Sequence, residues 1–76
     1  MSDDALKIQP LDAVMTRLHL SNADLVKASS EQLSFKMVQK GRRGKPLSVN
    51  IHNKILRALK SVRPDEHVGL KDLFNN

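Results

Sequence analysis

The chain contains no cysteine, no tryptophan and no tyrosine, and only two phenylalanines among its 76 residues. Without cysteine there is no disulfide framework, no thiolate nucleophile and no cysteine-bound zinc. So few aromatics argue against a single-strand binder that stacks bases on side-chain rings. No apolar run approaches the roughly 18 residues of a membrane span, and the N-terminus lacks a signal peptide's basic-then-apolar order. A cytoplasmic protein with no membrane contact is expected. A chain this short buries only about 60% of the surface it exposes when unfolded, so a deep catalytic pocket is hard to build.

Another absence is local. Between Lys36 and Arg63 there is not one Asp or Glu, yet nine of the thirteen basic residues lie there. All eight acidic residues fall outside it, so the overall charge of +5 is sorted along the chain. Sorting of this kind makes a one-sided electrostatic surface and points to a polyanion. At its centre, Gly41-Arg42-Arg43-Gly44-Lys45-Pro46 reads as a basic loop between helices.

What remains is Leu, Val, Ile, Met and Ala at helical spacing, which suits a small all-α domain. Residues 1–9 read as a flexible N-terminus and 10–76 as a single domain. Pro10 suits the first turn of a helix reaching Leu18 or His19, with an earlier start through Leu6 as an alternative. Ser21 with Asp24 has capping-box spacing, opening a short helix from Asn22 to Ala28. Ser29 or Ser30 caps a third helix, Ser29 having the same spacing to Gln32; this helix runs from Glu31 to Lys40 and ends on Gly41 as a left-handed cap. Ser48 caps a fourth helix that stops before Pro64. Leu70, Leu73 and Phe74 form a final amphipathic turn. The expected result is a compact domain of four or five helices, with Leu18, Leu25, Leu33, Val38, Ile51, Ile55 and Leu59 in its core.

No catalytic constellation accompanies this pattern. His19, His52 and His67 lie in three separate segments without metal-ligand spacing. The serines sit at helix starts, where capping explains them. Gly41 and Gly44 lack the spacing of a phosphate-binding loop. Neither enzymatic activity nor a cofactor or metal is expected. On the third helix, Leu33, Ser34, Met37 and Val38 share one side, while Gln32, Phe35, Lys36 and Gln39 share the other. That second face suits a major groove: Gln can pair with adenine, Lys can reach guanine, and Phe can pack on a thymine methyl.

Leu20-Ser21-Asn22-Ala23-Asp24-Leu25-Val26, then Gly41-Arg42-Arg43, then Ile55-Leu56-Arg57-Ala58-Leu59 with Leu70-Lys71-Asp72-Leu73-Phe74, resemble successive parts of one family. Together they look like the helix-turn-helix domains of phage-repressor-like (Xre-type, lambda-repressor-like) regulators, over roughly residues 11 to 74. The chain departs from that family in its turn, Ser29 to Leu33, which is about two residues longer and lacks the usual glycine. The resemblance implies a small transcriptional regulator on double-stranded DNA, with helix 31–40 in the major groove. Gln32, Phe35, Lys36 and Gln39 are then base contacts, and Asn22, Lys40, Arg42, Arg43 and Lys45 are phosphate contacts. It also implies homodimers on palindromic sites, for which Leu70, Leu73 and Phe74 are the apolar residues left, unless they cover the monomer's own core. Structured RNA, or an acidic protein docked on the basic face, is the alternative partner.

Overall fold

The computed structural model of the chain describes residues 8–74, and every regular element among them is helical. In order they are α1 (Pro10–Arg17), α2 (Asn22–Ala28), α3 (Phe35–Arg43), α4 (Val49–Val62) and α5 (Leu70–Leu73). The expected all-α fold class is observed. The expected flexible N-terminal segment lies mostly outside the described residues, as does the earlier start through Leu6. Gln9, however, is buried, and its amide donates to the Arg42 carbonyl at 3.0 Å, tying the entry of α1 to the last turn of α3.

Capping explains most of the boundaries. Pro10 occupies the first turn of α1, where its missing N–H is not needed. Ser21 and Asp24 form a full capping box: the Ser21 hydroxyl accepts from the Asp24 amide at 3.1 Å, and the Asp24 carboxylate accepts from the Ser21 amide at 2.8 Å. These bonds hold the Asp24 carboxyl below its ordinary pKa, the Ser21 backbone amide being the main cause. Ser48 caps α4 by accepting from the Ile51 amide. Arg63, before Pro64, closes the same helix. His19 sits at φ 58°, a left-handed residue that turns the chain from α1 into α2.

α2 packs on α4 and α3, while α1 packs on α5 and α3, and α4 also meets α3 and α5. Leu11, Met15, Leu25, Val38, Ile55, Leu59 and Leu73 are fully buried between them. Each such Leu or Ile contributes about 1.5–3 kcal/mol relative to an exposed side chain. Leu33 is buried as expected, whereas Leu18 and Ile51 are only half-buried at the edge of the core. Leu73 and Phe74 do cover the monomer's own core, and Phe74 stacks flat on His52 with ring centres 3.8 Å apart.

The third helix departs from its expected bounds at both ends. It starts at Phe35 because Ser34, not Ser29, is its N-cap, accepting from the Met37 amide at 3.1 Å. Ser29 instead closes a local turn, its hydroxyl accepting from the Glu31 amide. Residues 29–34 form a non-helical segment that is tied to α4. Glu31 takes a two-pronged bond from Arg57 at 2.6 and 2.7 Å, and the Gln32 carbonyl accepts from Lys54 at 3.4 Å. At the other end the helix runs through Gly41 and stops at Gly44, whose φ of 83° is the left-handed cap expected of Gly41. Gly41 serves packing instead. A Cβ there would lie 3.1 Å from the Ile55 Cδ1, 3.4 Å from Phe74 and 3.5 Å from Leu11.

Candidate nucleic-acid interface

Nine residues make α3, and its two sides have different work. Val38 and Gly41 are buried and Met37 is half-buried, so this side anchors the helix. Phe35, Lys36 and Lys40 lie on the other side and are exposed, Phe35 to 58%. Together with Gln39, Arg43 and Lys45 they line a shallow, open groove of about 480 Å³. No acidic residue lines it among the described residues. Lys36, Lys40 and Lys45 form no ion pair with any described residue, so their charge is directed at solvent.

The expected site residues divide accordingly. Phe35, Lys36, Gln39, Lys40, Arg43 and Lys45 are brought together on one surface. Gln32 is not among them: it lies in the non-helical segment before α3, because the helix begins three residues later than its own position. Arg42 and Arg43 do not belong to a loop, since both lie in the last turn of α3. Arg42 points inward, its side chain only 19% exposed, with Nε donating to Asp12 Oδ1 at 2.7 Å. Its Nη1 also donates to Asn22 Oδ1 at 2.8 Å. Asn22 is buried and donates from Nδ2 to Gln39 Oε1 at 2.8 Å. Arg42 and Asn22 thus hold α1, α2 and α3 together instead of standing in reach of a phosphate.

Sequence reasoning missed this polar chain entirely. Its members are separated by 17 to 30 residues, and the only visible signal was Asp12, a single acid on the otherwise apolar-patterned α1. Three other arginines also bond within the chain. Arg17 bonds Glu66 at 3.0 Å, Arg57 bonds Glu31, and Arg63 donates to the Leu18 carbonyl at 3.2 Å. Among the described residues no group of three His, Asp or Glu side chains is placed to hold a metal ion. No helix of the described chain is long and apolar enough to cross a membrane.

No protein-family model, curated protein or solved structure matches this chain. Its function is therefore to be read from its own surface.

Proposed function

We propose that this chain is a non-enzymatic DNA-binding protein, a small transcriptional regulator that presents α3 to the major groove. The observation that carries the reading is the outward face of α3. Lys36, Lys40 and Lys45 surround an exposed Phe35 there, with no acid among the described lining residues. A cationic helix face anchored from behind by Val38 and Gly41 is what groove entry requires. An exposed phenylalanine in the first turn can meet a thymine methyl, and the lysines can reach guanine edges or phosphates. Asn22 and Arg42 lie beneath this face and support it, and Gln32 lies outside it. A homodimer on a palindromic site fits the same reading, although Leu73 and Phe74 are already buried within one chain.

The test is selection from random DNA duplexes, followed by filter binding of the selected duplex, a scrambled duplex and a structured RNA at several salt concentrations. Enrichment of one sequence, with weaker binding of the scrambled duplex, is the expected result. Equal binding of all three polyanions would leave a general charge-driven binder. Tighter binding of the RNA would assign the surface to RNA, and binding of none would assign it to an acidic protein partner.

A further inference from the structure

The chain of bonds from Asp12 through Arg42 and Asn22 to Gln39 has a direction. A guanidinium carries donors only, so the Asn22 atom 2.8 Å from Arg42 Nη1 must be its carbonyl oxygen. The Asn22 Nδ2 is thereby turned to Gln39, and the Gln39 atom it meets at 2.8 Å must be the acceptor Oε1. An amide's oxygen and nitrogen are nearly alike in shape, but the fixed cation at one end decides both amides in turn. Gln39 is left with Nε2, a donor. No buried side-chain nitrogen or oxygen among the described residues lacks a partner, and Gln39 lines the groove, so Nε2 opens onto it. Lys36, Lys40 and Lys45 beside it also carry donors alone.

We infer that Asn22 is a positioning residue that makes Gln39 a one-way donor, and that α3 thereby selects a base edge bearing acceptors only. In the major groove guanine presents two such acceptors, O6 and N7, whereas thymine offers only O4 beside its methyl, so guanine is the edge that fits best. Adenine needs the glutamine carbonyl for its amine, and that carbonyl is turned inward to the buried Asn22; cytosine presents an amine as well. The inference rests on the duplex-DNA reading above and replaces the adenine pairing expected of a free glutamine.

Asn22→Asp is the decisive variant. A carboxylate at position 22 can only accept, so it retains the Arg42 bond and can bond Gln39 only if that amide turns over. The Oε1 then faces the groove. Gln39→Glu reaches the same outward acceptor without touching the buried position, and serves if Asn22→Asp fails to fold. Random-duplex selection on the wild type should enrich guanine at one position, on the order of tenfold over adenine. Both variants should lose that enrichment and favour adenine or cytosine at the same position. Both make the net charge less positive, so preference within each protein is compared, not affinity between proteins.

Side-chain amide hydrogen exchange, read by NMR on the free protein, supplies a readout that needs no DNA. In the wild type the Asn22 amide should exchange slowly and the Gln39 amide fast; in Asn22→Asp the Gln39 amide should become slow. Rapid exchange at Asn22 overturns the positioning role. Sequence-selective binding whose preference survives both variants, or wild-type enrichment of adenine at this position, overturns the inference while leaving the DNA reading intact. No duplex binding, with the exchange pattern as described, overturns the DNA reading and the guanine selection that rests on it, and leaves the bond direction standing.

Discussion

Two sets of basic residues in this protein stand apart in the structure although the sequence does not separate them. Arg17, Arg42, Arg57 and Arg63 each bond to a carboxylate or a carbonyl of the same chain. Lys36, Lys40 and Lys45 bond to no acid among the described residues and surround the α3 groove. The division follows side-chain chemistry in part, since Lys54 also donates to the Gln32 carbonyl and Arg43 lines the groove. A planar guanidinium with several donors can bridge two helices, whereas a strongly hydrated ammonium on a flexible stem stays in water at little cost. Counting charge along a sequence therefore overstates the charge available to a ligand. Of the acid-free stretch from Lys36 to Arg63, a good part is architecture.

The strongest way to break this comparison is to remove an inward cation and find the fold unmoved. Arg42→Ala leaves the Asn22 carbonyl buried without a donor and Asp12 without its cation. It should lower stability by about 2 kcal/mol in urea denaturation, the range for a charged hydrogen bond in a partly buried place. An unchanged stability would mean that the chain from Asp12 to Gln39 does not hold the helices.

The outward group makes the opposite prediction. Replacing Lys36, Lys40 and Lys45 together by alanine should change stability by less than about 0.5 kcal/mol. Duplex binding should weaken on every sequence, and the slope of log affinity against log salt should fall by about three, roughly one for each phosphate no longer neutralised. An unchanged slope would show that these lysines do not face the polyanion.

A milder probe concerns Glu31, whose carboxyl is held below its ordinary pKa mainly by the hydrogen bonds from Arg57. Glu31→Gln should lower the thermal midpoint less than Arg42→Ala does, because this pair lies at the surface and is screened by salt. Raising the salt concentration should narrow the gap between Glu31→Gln and the wild type. A gap that widens would argue for a packing role instead.

The smallest expected effect belongs to a group that becomes a cation only on acidification. His52 lies against Phe74, and burial lowers its pKa from 6.5. The fold therefore favours the neutral ring. Stability should be full above about pH 6.5 and should decline as pH falls from there through the depressed value. His52→Gln should flatten this part of the curve, measured as thermal midpoint against pH. An identical decline in the variant would place its source elsewhere.

Much of the fold was legible because caps and periodicity act locally. Ser21 with Asp24, Ser48, and Arg63 before Pro64 each mark a boundary within a few residues of chain. The errors arose where two local signals competed and distant packing chose between them. Ser29 and Ser34 both offer an N-cap, and Arg57 reaching across from α4 keeps Glu31 out of a helix. Gly41 and Gly44 both offer a left-handed cap, and Ile55, Leu11 and Phe74 require the first to stay inside α3. The surface residues Phe35, Lys36 and Lys40 were legible because helical spacing alone places them, and Lys45 because it follows directly in the basic run. Asn22 and Arg42 were not, because only the folded chain brings Asp12 beside them.

Gly41 also works as a depth stop. With no side chain between the backbone of α3 and the atoms of Ile55, Phe74 and Leu11, the C-terminal half of this helix sits as low as its own backbone and their packing allow. Its N-terminal half rests on Met37 and Val38, which have bulk. The helix is thus seated like a beam on supports of unequal height. A larger residue at 41 would raise one end, tipping Lys40 and Lys45 away from the body of the protein while Phe35 and Lys36 remained near their level. One small position at the rear of the helix sets the angle at which the whole cationic face is offered.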